Sequence, residues 1–339
     1  MSKKTILVDS VKGENLHDKL INTIRMIVFE KDKLSKSEKE KVASILGDIL
    51  CLGRESVYRR LRGEVRFSFE EVASIAKELG FSVDNIIGSQ AEKKAIIELK
   101  YGESKDRDTF YTKKIESYAS MLSNLAQMEG SAVSYASSAF PYILSYEYEE
   151  LTKFRFFRYF YQMDGHFMSF KDFEIPKESL NAHRIFANEF RKINKIQIII
   201  NHDINSSIIR DIYYFHNLSL LDNEDLKLIR SELNEMLTEI EKMSITGTYP
   251  DSNTKIALYL SNTEIDSSYL LLEANGFQQA FHSIYDIDAI HTLDPSICKK
   301  HSLWIESLKR YSTLITFGGE IQRHNFFREQ RKLINSIIP

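Results

Sequence analysis

Between Arg54 and Arg66, five arginines (Arg54, Arg59, Arg60, Arg62 and Arg66) stand against two glutamates, Glu55 and Glu64, in a chain whose formal net charge is −3. The guanidinium group is a permanently charged planar fork. It can meet phosphate oxygens, or the O6 and N7 acceptors of guanine, with paired hydrogen bonds. A glutamate in the same cluster can accept from the amino group of cytosine. Together these residue types can recognise a polyanion, some side chains reading base edges and others neutralising phosphates. The acidic whole-chain balance argues against a general polyanion binder and leaves this local patch as the place to look.

A short helix must carry the cluster, and the flanking sequence supplies the scaffold. Leu16, Leu20, Ile24, Ile27 and Val28 recur at helical spacing and predict a helix over 14–31. A second helix is expected from about Ser37, read as its cap, through Val42, Ile45, Leu46, Ile49 and Leu50. Gly53 marks a turn, the arginine-rich helix covers 54–62, and Gly63 stands where a helix end favours a left-handed residue. Ser68 and Glu71 have the spacing of a capping box, and Phe67 can staple onto Val72, predicting a helix over 69–79. Ser82 caps a last short turn through Ile86 and Ile87.

The run LGDILCLGRESVYRRLRG, from Leu46 to Gly63, resembles the helix-turn-helix of the lambda repressor and Cro superfamily. The resemblance implies an all-α DNA-binding domain with Leu46, Leu50, Leu52, Val57 and Leu61 facing inward. It also implies that Arg54, Glu55, Ser56, Tyr58 and Arg59 approach base edges in the major groove of double-stranded DNA. Arg60, Arg62 and Arg66 would then neutralise phosphates. The chain departs from the superfamily pattern at Cys51, where glycine is common, and at Arg60, where an apolar residue is usual. Either Arg59 or Arg60 is therefore the groove-facing arginine. Cys51 is read as a small apolar filler of the turn. The remainder is similar in layout, and in the phrase TLITFGGEIQRHNFFREQR, to bacterial regulators that join such a module to a large C-terminal domain.

Past a polar stretch at 102–108, helices are expected over 110–128, 146–162, 208–215, 224–243, 295–315 and from Gly319 to about Ile337. Strands are expected over 196–200, 256–260, 269–272 and 278–284, the last three as an antiparallel meander. The reading is a multidomain chain: residues 1–90 an all-α lambda repressor-like domain, 91–108 a linker or connecting helix, and 109–339 a helix-dominated α+β domain. The last domain is expected to sense a small-molecule or peptide effector or to support a homodimer. Ile115, Tyr118, Leu122 and Leu125 are the guess for a dimer helix over 110–128, with packing inside the chain at least as good a reading of the same residues.

Other constellations are weaker. Phe154, Phe156, Phe157, Tyr159, Phe160 and Tyr161, interleaved with Arg155 and Arg158, could line a pocket for an amphipathic effector or stack on unpaired bases, but core packing is favoured. His202 with Asp203, and His282 with His291, match no standard metal spacing. Cys51 and Cys298 offer no disulfide framework or zinc site. The charge-free stretch 131–146 is serine-diluted and contains Pro141, so it is not read as a membrane span. Walker, dinucleotide and hydrolase-elbow motifs are absent. Gly318 and Gly319 are read as a helix break. The expectation is a cytoplasmic transcription regulator without cofactor, metal, membrane partner or enzymatic activity. A DNA-tethered enzyme and a protein-interaction module without DNA binding are the alternatives.

Overall fold

The computed structural model describes residues 16–29, 36–81, 83, 86, 98–99, 107–164, 168–284 and 287–337. The chain divides into two compact units, Met1–Ile96 and Ile97–Pro339.

The smaller unit holds α1 (Leu16–Phe29), α2 (Lys36–Leu50), α3 (Arg54–Leu61) and α4 (Phe69–Leu79). Their apolar stripes meet in one core of Leu20, Ile24, Val42, Ala43, Leu46, Val57 and Ile75, joined by Ile86 from beyond α4, because each helix is too short to be stable without burying such a face. α2 starts at Lys36, so Ser37 lies inside its first turn instead of capping it. The capping box of α4 is formed: Glu71 N–H donates to the Ser68 hydroxyl and the Ser68 N–H to the Glu71 carboxylate. Of the short turn expected at 82–87, Val83 and Ile86 are helical and the rest lies outside the described residues.

The larger unit is a helix-dominated α+β structure built on one mixed eight-stranded sheet. In chain order its elements are β1 (Glu98–Leu99), α5 (Arg107–Ala126), β2 (Ala132–Ser137), α6 (Glu149–Asp164), α7 (Lys177–Phe190), β3 (Lys195–Ile200), α8 (Ser206–Asn217), α9 (Asn223–Thr246), β4 (Lys255–Ser261), β5 (Tyr269–Ala274), β6 (Phe277–Ser283), β7 (Ala289–Thr292), α10 (Pro295–Arg310), β8 (Ser312–Leu314) and α11 (Glu320–Asn335). The strand order is β1-β7-β6-β5-β2-β3-β4-β8. β2, β3 and β4 pair in parallel, with Val133, Ile196 and Ile256 in register. The remaining pairs are antiparallel.

Strand alternation sorts the side chains between two faces. Val133, Ile196, Ile198, Ile200, Ile256, Leu258, Leu260 and Leu272 enter the main core with residues of α5 to α9 and α11. Ala136, Ile199, Leu271 and Ala280 face the opposite way, onto Cys298, Ile305 and Leu308 of α10.

Several expectations change. The meander is β5-β6-β7, while β4 pairs with β3 and β8, because a buried central strand is placed by long-range pairing. β2 falls in the charge-free stretch 131–146, and α7 was not anticipated. The helix opened by Pro295 and capped by Asp294 ends at Arg310, and the residues after it become edge strand β8. Glu98–Leu99 is a strand paired with β7, not part of a linker or connecting helix, and 91–97 lie outside the described residues.

Ile115, Leu122 and Leu125 are buried in the unit's own core, and the Tyr118 hydroxyl donates to the Ile287 carbonyl at 3.1 Å. The face guessed to dimerise is therefore filled from within the chain. Of the aromatic run of α6, Phe154, Phe156, Phe157 and Tyr159 are buried in the core, the reading favoured for it, while Phe160 and Tyr161 are half-buried. Gly318 and Gly319 separate β8 from α11. Gly319 has φ +59°, and a Cβ there would lie 2.8 Å from the Leu314 carbonyl oxygen, so glycine is required. No helix among the described residues is long and apolar enough to cross a membrane.

Candidate nucleic-acid interface

α2 and α3 are joined by three residues, and this turn sets the exposure of every arginine in the cluster. Leu52 N–H donates to the Gly47 carbonyl at 3.0 Å, folding the chain back across the end of α2. Cys51 sits at the corner with φ +53°, a left-handed conformation that disfavours residues other than glycine. Its side chain is exposed, which corrects its reading as an apolar filler. Gly53 then precedes α3 in an extended conformation and gives no side-chain cap, so the first-turn amides of α3 have no local acceptor from it.

Val57 is fully buried, with Tyr58 and Leu61 half-buried beside it. These three anchor α3 and turn the opposite stripe, Glu55, Arg59 and Arg62 at steps of four and three residues, towards solvent, with Ser56 exposed alongside. Gly63, at φ +76°, ends the helix as its position predicts, and Glu64 N–H donates back to the Arg59 carbonyl at 2.9 Å.

The arginines fall into three situations. Arg54 and Arg66 are exposed and make no ion pair among the described residues. Arg59, at 55% side-chain exposure, lies 3.5 Å from Glu64. Arg62 bonds Glu64 at 2.6 Å and Glu55 at 3.1 Å, and its hydrogen bond to Glu64 is the main reason the Glu64 carboxyl is held below its usual pKa. Arg60 is different: at 17% exposure it grips Glu71 with both arms of its fork, at 2.7 and 3.1 Å, and donates to the Ser56 carbonyl at 3.2 Å. The hydrogen bond from Arg60 is the main reason the Glu71 carboxyl is also held low.

This geometry separates the two arginines left as alternatives. Arg59 faces out, and Arg60 leaves the outward set, because a bidentate pair to a half-buried carboxylate fixes it against α4. Tyr58 likewise belongs mainly to the core. Glu71 therefore has two tasks, capping α4 and tying α3 to it. The tie joins residues eleven apart, a separation to which helical periodicity is blind. Glu64 entered the sequence reading only as a negative count, but it bridges Arg59 and Arg62.

α2 and α3 thus form two helices joined by a short turn, with solvent-facing arginines on the second. The family model of the BetR domain, a domain associated with helix-turn-helix regulators, matches residues 24–133. The BetR match covers roughly a third of the chain and runs beyond α4, through α5 and into the start of β2. It carries a regulatory, DNA-binding association for this region. No curated protein and no solved structure matches the chain.

Among the described residues, no group of three or more histidine, cysteine or acidic side chains could hold a metal. His282 packs on Tyr269 and His291 on Phe281 as ring contacts.

Proposed function

We infer that the chain is a sequence-specific, DNA-binding transcription regulator of the lambda repressor/Cro-like kind, with α3 entering the major groove of duplex DNA. The observation that carries this reading is the turn between α2 and α3. It buries Val57 and leaves Arg54, Glu55, Ser56 and Arg59 exposed on the N-terminal half of a basic helix, the half that meets base edges in this type of module. The BetR match over the same residues supports it.

In this reading Arg54 and Arg59 contact bases, Glu55 and Ser56 flank them, and Arg62 and Arg66 lie on phosphates. Arg60 acts indirectly, by fixing the pose of α3 against α4. The open amides at the start of α3 favour a phosphate there as well. Glu64 must yield Arg59 and Arg62 for them to meet DNA, so the free protein has a built-in competitor for phosphate. The regulator works as a cytoplasmic homodimer, with two copies of α3 in successive major grooves ~34 Å apart. The larger unit supplies effector sensing or subunit contact and is not catalytic. The dimer contact lies elsewhere than the inner face of α5.

Selection of bound duplexes from a random pool tests this reading. Enrichment of a two-fold-related motif with half-sites about 10 base pairs apart is expected. Recovery of unenriched sequence would contradict it.

A further inference from the structure

The larger unit carries a cavity of 420 Å³ that the DNA reading does not use, lined by Asp108, Phe157, Phe160, Tyr161, Met168, Asp172, Phe173 and Glu174. Phe157, Phe160 and Tyr161 recur at three and four residues along α6 and so share one face of it. Phe173 completes the group, its ring centroid 5.5 Å from Phe157 and 6.1 Å from Phe160. Asp108 is in the first turn of α5, and Asp172 and Glu174 lie on the segment leading into α7. Among the described residues, the ionisable side chains lining it other than the Tyr161 phenol are carboxylates, and the other lining residues are aromatic or methionine. The Asp172 carboxylate accepts the Ser169 hydroxyl at 2.6 Å, which orients it without neutralising its charge.

Two features select the occupant independently. The volume is in the range of small-molecule sites and too small for a folded partner. Aromatic rings attract a cation through their quadrupoles, and a carboxylate rim attracts it through net charge, whereas an anion is repelled by both. We propose that this cavity binds a small organic cation, an ammonium or guanidinium group on an apolar body, as a ligand of the larger unit. Because Asp108 lies in the first turn of α5, the ligand touches the first helix described in the larger unit. The site stands whether or not α3 binds DNA.

The test uses the full chain with ¹³C-methyl methionine and follows the Met168 methyl resonance, since Met168 lines the cavity. Benzyltrimethylammonium is titrated against benzyl alcohol and phenylacetate, which share its ring but are neutral or anionic. Saturable shifts are expected with the cation at about millimolar concentration or below, and at least about tenfold weaker binding for the other two. The Asp172→Asn/Glu174→Gln double variant, altered only at exposed positions, is expected to bind about fivefold or more weakly with an unchanged melting temperature. Phe160→Leu should weaken the cation in the same way. Equal shifts from all three probes, or no saturable shift, would overturn the proposal. So would full retention of binding in Phe160→Leu, because simple surface pairing would then suffice. Preference for a lysine-bearing peptide over the small cation would also overturn it, in favour of a protein partner.

Discussion

α3 and α6 both interleave arginines with apolar residues, yet they use the guanidinium in opposite ways. In α3 one face reaches a core through Val57, Tyr58 and Leu61, Arg59 and Arg62 extend into solvent beside carboxylates, and Arg54 is exposed. In α6 large rings surround the charge. Arg155 is 7% exposed, donates to the Tyr146 hydroxyl at 2.5 Å and lies 4.5 Å over the Tyr142 ring. Arg158 reaches Asp211 at 2.7 Å. The contrast shows that whether an arginine is available to a partner is set by the packing around its helix, because desolvation must be offset by fixed contacts before a charge is held inside. The same residue type is left open to solvent at Arg59 and Arg62 and built into the interior at Arg155.

The largest expected effect comes from removing the architectural arginine. Arg155→Ala leaves a cavity and an unpaired tyrosine hydroxyl, and should lower stability by about 2–4 kcal/mol in urea unfolding, with DNA affinity per folded molecule unchanged. A stability loss as small as that of a surface substitution would erase the contrast.

The comparison also shows what could be read from the residues. The α2–α4 segment was legible almost to the residue, because caps and turns are local. Ser68 with Glu71, Gly63 and the short interval at Gly53 each act within a few positions. Strand β2, rich in alanine and serine, was not legible, because its burial comes from neighbours β3 and β5, which lie far away in sequence. The inner face of α5 allows two readings, a dimer contact or packing inside the chain, since an apolar stripe looks the same whichever partner covers it; the structure shows the second. The Arg60–Glu71 tie was invisible for a related reason: it joins two helices through tertiary geometry.

A second prediction sharpens the architectural side. His183 packs on Tyr146 and Tyr111, and burial pushes its pKa down to about 4, with the Arg155 charge acting in the same direction. A histidine whose folded pKa lies below its unfolded value of about 6.5 binds fewer protons when folded. Its contribution is therefore complete above the unfolded pKa and is lost as pH falls towards the folded one. Between pH 7 and pH 5 this should cost about 2 kcal/mol. His183→Gln should remove that part of the slope in urea unfolding at the two pH values, and an identical slope in the variant would contradict the assignment.

On the recognition side, Arg54→Ala and Arg59→Ala should each weaken specific DNA binding by about 1–3 kcal/mol while leaving unfolding unchanged. Equal losses on selected and scrambled duplexes would move that arginine to the phosphate backbone. Smallest of all, Cys51→Gly should relieve the left-handed corner and raise the melting transition by the equivalent of about 1 kcal/mol or less. A clear fall would mean that the Cys51 side chain contributes more than its backbone costs.

The most direct test is a titration of the full chain, wild type and Arg59→Ala, with a selected and a scrambled duplex at 50 and 200 mM salt, concentrations across which phosphate contacts weaken steeply. A steep salt dependence on both duplexes is expected, with Arg59→Ala lowering affinity mainly for the selected one. Salt-independent binding, or wild-type affinity in Arg59→Ala on the selected duplex, would contradict the role given to the outward face of α3.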